Sequence, residues 1–219
     1  DLRSFVTTYL TRDKLLISVV GDITPEELQK LLDQVFGNLP ETGNTPDINN
    51  TDITNGGMTF LYDKDIPQTI IQIMQPGIAR DHPDYYTAHL MNFVLGGSGF
   101  GSRLMEEIRE KRGLTYGIYS QIYNLDYAQG LMISTSTKNE TAREVLDLIR
   151  QQWHAMQQAP ITDEDLADAK SYIIGSLPLQ LSSTDSIAAI LTGLQQDNLP
   201  IDYLDIRAEK INAVTTQDI

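Results

Sequence analysis

The strongest restriction on the fold comes from two alternating segments, GLTYGIYSQIYN at residues 113–124 and GLMISTSTK at 130–138. Alternation with a period of two predicts strands with one buried face, and the short LDYAQ connection between them predicts an antiparallel hairpin. Segments with helical periodicity come in pairs on either side of this hairpin, at 81–95 and 102–112 and at 139–159 and 161–177. Paired strands alternating with paired helices predict an α+β fold, in which helices pack on one face of a mostly antiparallel sheet.

Three further strands are predicted nearer the N-terminus, at KLLISVVGD (14–22), MTFLYDK (58–64) and QTIIQIMQPG (68–77). A helix is predicted to follow the first of them, because Thr24 and Glu27 have the spacing of a capping box ahead of an apolar stripe.

Residues 41–57, ETGNTPDINNTDITNGG, are rich in turn-forming residues and carry no periodic apolar face, which predicts a linker. We therefore divide the chain into residues 1–40, the linker at 41–57, and a larger region at 58–219. The chain begins at Asp1 without a leader pattern, so we expect it to be a piece of a longer protein.

A glycine-rich run, LGGSGFGS, joins the helices predicted at 81–95 and 102–112, whose predicted N-caps are Asp81 and Ser102. The spacing of its glycines does not match the dinucleotide fingerprint, and that fingerprint needs a preceding strand rather than a helix. Nucleotide binding is therefore rejected. Two interpretations stay open: a flexible connection between helices, or a place where another backbone approaches closely.

Other common catalytic patterns are missing from the sequence. There is no cysteine, no H-x-x-E-H or its inverse, and no G-x-S-x-G. His82 and His89 are about two helical turns apart, too far to share one ion on a regular helix. A net charge of −14 makes nucleic acid and anionic membranes poor partners, and no apolar run reaches the ~18 residues of a membrane span.

Arg109 and Tyr116 form the remaining candidate pair, one on a predicted helix and the other on the following strand. Their side chains could converge to donate hydrogen bonds to a carbonyl oxygen or an oxyanion. The simpler interpretation is that Arg109 pairs with Glu106 on a solvated helix and that Tyr116 is half-buried. The spacing alone does not decide between the two.

The run LGGSGFGSRLMEEIREKRGLTYGIYS closely resembles the C-terminal-half signature of the M16, or pitrilysin-like, zinc metallopeptidases. Residues 1–40 resemble the end of the N-terminal half of that family. The resemblance implies a LuxS/MPP-like metallohydrolase fold, with two homologous α+β halves that close on an unfolded peptide. One half of such proteins binds zinc through H-x-x-E-H and a distal glutamate.

For this chain the resemblance implies that Arg109 and Tyr116 bind the substrate backbone and help to stabilise the tetrahedral intermediate. The glycine-rich run resembles, in its position, the substrate loop of the zinc-free subunit of mitochondrial processing peptidase. That comparison makes six residues substrate-binding candidates: Gly96, Gly97, Ser98, Gly99, Phe100 and Gly101.

No metal ligand is assigned to this chain. Zinc is expected either in a segment upstream of Asp1 or in a separate zinc-bearing subunit, and the chain is not expected to hydrolyse peptides alone. The alternative is a non-catalytic structural or assembly homologue, similar to the core proteins of the cytochrome bc1 complex.

The resemblance also implies that residues 58–219 end before a last strand. We predict that residues 14–21 fill that position, within one molecule or by exchange between two copies in a homodimer, because an unpaired sheet edge invites aggregation. The implied compartment is the bacterial periplasm, with the cytoplasm as the alternative.

Overall fold

The computed structural model describes residues 2–219, which divide into two compact units. The smaller unit contains Asp1–Asn49 and Ser176–Tyr203, and the larger contains Asn50–Gly175 and Leu204–Ile219. The sequence-based division at 1–40, 41–57 and 58–219 concerns homologous halves and stays a prediction.

The larger unit holds the three strands and most of the long helices. Its strands are β1 (Gln68–Pro76), β2 (Thr115–Leu125) and β3 (Ala128–Lys138). Its helices are α3 (Tyr85–Asn92), α4 (Ala142–Gln158), α5 (Asp163–Gly175) and α8 (Tyr203–Ala213), together with two π-helices at Phe93–Gly97 and Met105–Glu110.

The smaller unit is helical in the part of the chain that the structure describes. Its helices are α1 (Leu2–Tyr9), α2 (Pro25–Phe36), α6 (Leu177–Gln180) and α7 (Thr184–Gln196). The capping box at the start of α2 is confirmed: the Thr24 side chain accepts from the Glu27 N–H, and the Glu27 carboxylate accepts from the Thr24 N–H. Each bond satisfies a backbone donor that would otherwise have no partner at the end of the helix.

The sheet has the order β1–β3–β2, and both pairings are antiparallel. β2 and β3 form the predicted hairpin, closed by Asp126 and Tyr127 between Leu125 and Ala128. The α+β fold with an antiparallel sheet is therefore confirmed.

The two faces of this sheet differ sharply. Ile71, Ile118 and Ile133 point to one side and are buried, and α4 and the two π-helices pack against the strands. Ile70, which is 65% exposed, and Tyr119 lie on the opposite face. One face packed and one open is usual for antiparallel sheets.

A single apolar core joins the sheet to its helices. Side chains with no exposed surface come from most elements of the larger unit: Leu90, Leu95, Leu104, Ile108, Ile118, Val145 and Ile211. Each buried aliphatic side chain of this size contributes about 1.5–3 kcal/mol relative to an exposed one. The core therefore fixes the two π-helices against β2.

Two predicted strands are wrong. Residues 15–20 form no strand; instead the Gln195 side chain donates to the Ser18 hydroxyl at 2.7 Å and to the Ile17 carbonyl at 3.3 Å. Residues 58–64 also form no strand, and Phe60 and Leu61 are exposed. Both segments have the composition of strands, but a strand needs a neighbour to receive its backbone hydrogen bonds.

The proposed filling of a last-strand position by residues 14–21 is therefore wrong for a single molecule. Exchange of that segment between two copies stays a prediction.

Two helices also differ from the expected ones, one in its start and the other in its type. The helix predicted at 81–95 begins at Tyr85 with Asp84, rather than Asp81, at its N-cap position. The helix predicted at 102–112 begins directly after Ser102, as expected, but it is mostly π-helical, and the Ser102 side chain does not accept a capping hydrogen bond. The later helices agree better, since the Thr162 hydroxyl accepts from the Asp165 N–H ahead of α5 and a break separates α7 from α8.

Across residues 2–219, no helix combines the length and the apolar character that crossing a membrane requires.

Candidate functional site

The glycine loop, residues 96–101, begins with the last two residues of one π-helix and ends before a second π-helix. The first, Phe93–Gly97, continues α3, and the second, Met105–Glu110, leads towards β2. A π-helix is rare and is often found at functional sites. One π-helix precedes the turn of this loop and another follows it, which marks the region as a candidate functional site.

Gly96 and Gly97 are required for close packing rather than for flexibility. A Cβ at Gly96 would lie 2.7 Å from the backbone nitrogen of Ser120 on β2, and a Cβ at Gly97 would lie 3.0 Å from the carbonyl oxygen of Asn92. Gly96 is buried, so its own surface is not available to a ligand in this chain.

The second half of the glycine loop is a tight turn that presents Phe100. Gly99 has a φ of +70°, a conformation that strongly favours glycine. The backbone nitrogen and the hydroxyl of buried Ser102 both donate to the Gly99 carbonyl, at 3.0 and 2.7 Å. The hydroxyl thus closes the turn instead of capping a helix. Phe100 stands at the apex and is 69% exposed.

Phe100 and Arg109 are in contact. The guanidinium carbon of Arg109 lies 4.3 Å from the centroid of the Phe100 ring, and Nη1 of the same group donates to the Glu110 carboxylate at 2.8 Å. The other N–H groups of this guanidinium have no acceptor within residues 2–219. The Arg109 guanidinium is therefore held by the Phe100 ring and by its hydrogen bond to Glu110, and its remaining N–H donors are free.

The expected pairing of Arg109 with Glu106 is wrong, and the π-helix explains why. In a π-helix the hydrogen bonds run from residue i to residue i+5, so side chains five apart become neighbours. Glu106 pairs with Lys111 at 3.1 Å, and Glu107 pairs with Arg112 at 2.7 Å.

The acidic and basic side chains at the end of this π-helix form one ion-pair cluster. Glu107 also contacts Lys111, and hydrogen bonds from Lys111 and then Arg112 hold the pKa of the Glu107 carboxyl below its ordinary value. This cluster ties the last turn of the helix to the turn at Gly113, whose φ is +64°.

Tyr116 stands at a β-bulge near the start of β2. The register with β3 shifts between Thr115 and Ile118, and such a bulge re-aims the side chains that it contains. The Tyr116 side chain is 87% exposed, and its hydroxyl has no hydrogen-bond partner in the described part of the chain. It is thus not the half-buried core residue of the simpler interpretation.

Buried threonines hold this bulge in place. The Thr115 hydroxyl accepts from the Gly117 N–H at 3.2 Å and lies 2.8 Å from the Thr135 hydroxyl, which donates to the Gly117 carbonyl at 2.8 Å. Both polar groups of Gly117 that the bulge leaves unpaired are thereby satisfied.

The structure thus brings together Phe100 and Arg109 among the candidate residues, and it leaves Tyr116 exposed on the adjoining strand. No hydrogen bond joins Arg109 to Tyr116 among the described residues. The sequence reasoning missed Glu110 and Thr115. Glu110 directly follows Arg109, so the sequence could have indicated an ion pair between them. The role of Thr115 depends on a bulge that no local sequence pattern predicts.

The histidines have ordinary structural positions. His82 Nδ1 accepts from the Asp84 N–H at 3.1 Å, next to the start of α3. Burial, followed by the positive charges of Arg207 and Arg80, lowers the pKa of His89 from 6.5 to about 4. Among residues 2–219, no three His, Asp or Glu side chains group closely enough to hold a metal ion. The side chains described here therefore do not fit a zinc site.

Comparison with protein families identifies one model, described as the peptidase M16 inactive domain, which matches residues 1–173. A protein named uncharacterized zinc protease YmxG, from Bacillus subtilis, is 28% identical over 85% of this chain and 44% of its own length. A non-peptidase homolog YmxG from Helicobacter pylori is 27% identical over all of this chain and 50% of its own length. The chain thus spans about half the length of these relatives.

A solved structure of a peptidase M16 inactive domain from Pseudomonas fluorescens has the same fold. It is 30% identical, its TM-score is 0.74, and the match covers 91% of this chain and 47% of that one. Together with the match to the family model over most of the sequence, this similarity shows that the chain belongs to the M16 peptidase family, as one of its inactive domains.

Proposed function

We propose that this chain is the substrate-binding half of an M16-type zinc metalloendopeptidase. In this proposal it completes a peptide-cleaving site whose zinc ion is held by another half of the same protein or by a separate subunit. The partner on the substrate side is an unfolded peptide, and the compartment is the bacterial periplasm.

Arg109 and Tyr116 carry the proposal. The Arg109 guanidinium keeps free N–H donors while Phe100 and Glu110 restrain it, and the Tyr116 hydroxyl is exposed and unpaired in the described chain. In the complete site these groups donate to the peptide carbonyl whose oxygen gains negative charge as the tetrahedral intermediate forms. Preorganised donors of this kind stabilise a transition state more than a ground state.

The glycine loop contributes to the same surface. Gly97, Ser98, Gly99, Phe100 and Gly101 are at least partly accessible, whereas Gly96 is buried and supports the loop from beneath. The backbone of this loop forms one wall of the proposed peptide site, and Arg109 with Tyr116 forms the other.

The test is substitution of each donor in the complete protein or the assembled pair of subunits. Arg109→Ala and Tyr116→Phe are each expected to lower kcat at least tenfold without changing the zinc content, because such donors are worth about 3–4 kcal/mol. Arg143→Ala, at an exposed position on α4, and Tyr127→Phe, in the hairpin turn, are the matched controls. Unaltered turnover in both site variants would refute the assignment.

A second candidate is a non-catalytic structural or assembly homologue. One relative carries the name non-peptidase homolog, which favours this alternative. An assembly role predicts that Arg109→Ala and Tyr116→Phe leave peptide cleavage by the assembly unchanged, and that loss of the chain instead destabilises the partner. The same set of variants therefore separates the two functions.

A further inference from the structure

We propose that Phe100 is a positioning residue for Arg109: its ring orients the guanidinium plane so that the free donors of Arg109 face the peptide. This inference rests on the proposed function and deepens it. Phe100 then acts through Arg109, and its apolar surface is not the main contact with the substrate.

The contact between the two side chains is built by the local fold. Gly96 and Gly97 pack against Ser120 and Asn92, and the two hydrogen bonds from Ser102 to Gly99 close the turn. The residues on both sides of Phe100 are therefore anchored. The ring reaches Arg109 from a supported turn and not from a loosely attached loop.

The geometry of the contact leaves the useful donors open. The Arg109 guanidinium carbon lies over the Phe100 ring, and a cation held by the ring quadrupole in this way gives up none of its N–H groups to a hydrogen bond. Glu110 occupies the Nη1 edge at 2.8 Å, so the ring and the carboxylate together restrict rotation of the group. The Nε and Nη2 donors remain for a peptide carbonyl. A fixed plane reduces the entropy that would be lost when these bonds form.

Because the π-helix around Arg109 already carries several carboxylates, a neutral ring suits the task of holding the guanidinium better than a further carboxylate would. The same π-helix carries Glu106, Glu107 and Glu110, and Glu106 and Glu107 are already paired with Lys111 and Arg112. A second carboxylate on Arg109 would use up donors that the substrate needs. A phenyl ring restrains the guanidinium without accepting one of its N–H bonds.

The decisive experiment is a double-mutant cycle between Phe100→Leu and Arg109→Ala in the complete peptidase. Leucine keeps an apolar side chain but has no ring quadrupole. We expect Phe100→Leu to lower kcat roughly two- to fivefold, the range of an exposed cation–π contact, with little change in KM. Phe100→Trp is expected to retain wild-type kcat. In the Arg109→Ala background, Phe100→Leu is expected to cause no further loss.

Phe60→Leu is the matched control, because Phe60 is exposed to a similar degree and lies outside the site. An independent measurement uses the Arg109 Nε–H resonance, identified by its absence in Arg109→Ala. The Phe100 ring should shift this resonance upfield, and the shift should be lost in Phe100→Leu and kept in Phe100→Trp.

Each outcome decides one point. If Arg109→Ala is impaired and Phe100→Leu is not, the positioning role is wrong and the proposed function stands. If Phe100→Leu is equally harmful with and without Arg109, or raises KM alone, Phe100 contacts the peptide directly and the positioning role is again wrong. If Arg109→Ala retains full activity, the proposed function fails, and this inference fails with it.

Discussion

At the scale of single residues, three of the four glycines of the glycine loop have a physical role, and these roles are of two kinds. Gly96 and Gly97 allow backbone and side chains to approach within distances that a methyl group would forbid, and Gly99 supplies a left-handed turn. Gly101 has neither constraint, since a Cβ there would meet only the Ser98 hydroxyl at 3.7 Å. A cluster that suggests flexibility in the sequence is therefore mostly a packing device.

Because of these roles, we expect substitutions at different glycines to lower the free energy of unfolding by different amounts. Gly96→Ala should destabilise the protein by about 1–3 kcal/mol, because the new methyl group would overlap Ser120 and force β2 and the first π-helix apart. Gly101→Ala, the matched control, should change the free energy of unfolding by less than about 0.5 kcal/mol. Urea denaturation of the two variants measures the difference. Equal stabilities would show that Gly96 is not a packing position.

At the scale of elements, α3 carries a half-buried histidine whose contribution to the free energy of unfolding depends on pH. The pKa of His89 is lowered from 6.5 to about 4, first by burial and then by the charges of Arg207 and Arg80. The unfolded chain therefore binds a proton at His89 before the folded chain does. The associated stability is complete above about pH 6.5 and is lost as pH falls towards 4.

The expected loss from this one group is about 3 kcal/mol between pH 7 and pH 4, since one pKa unit corresponds to about 1.4 kcal/mol. His89→Gln should remove this part of the pH dependence, whereas His154→Gln, at an exposed position on α4, should leave it intact. Urea unfolding at a series of pH values gives the comparison. Parallel curves for the wild type and His89→Gln would contradict the lowered pKa of His89.

Elements also show how far local sequence reasoning reaches. The hairpin, the capping box of α2 and the helices after β3 follow from periodicity and cap residues, which act over a few neighbours. Residues 14–22 and 58–64 have equally good strand composition but form no strand, because pairing depends on a distant partner strand. The same limit applies to the candidate site. Arg109 and Tyr116 can be identified from the sequence, whereas the bulge at Tyr116 and the contact between Phe100 and Arg109 arise from tertiary packing.

At the scale of the whole molecule, the proposed function gives this chain the hydrogen-bond donors of the site and leaves the zinc ion to another half or subunit. Residues 2–219 contain no cluster of three His, Asp or Glu side chains that could hold a metal ion. A protein zinc site uses three or four His, Cys, Asp or Glu side chains at about 2.0–2.3 Å. We therefore expect the purified chain to retain well under one zinc ion after equilibrium dialysis against micromolar zinc.

The control for that measurement is the zinc-bearing half or subunit, which should retain one ion under the same conditions. Peptide hydrolysis should likewise require that half and should be undetectable with this chain alone. One tightly bound zinc ion per chain, removed by a chelator together with activity, would contradict this division of roles.

Because of the second π-helix, the position of Arg109 depends on the number of residues in this segment as much as on their identity. A π-helical turn holds one residue more than an α-helical turn, and each residue of an α-helix turns the chain by about 100°. Deleting one residue from Met105–Glu110 would convert the turn to an α-helix and rotate Arg109 relative to Phe100. When a related sequence lacks one residue between Ser102 and Gly113, this deletion is therefore stronger evidence that the site is lost than most substitutions in the same segment.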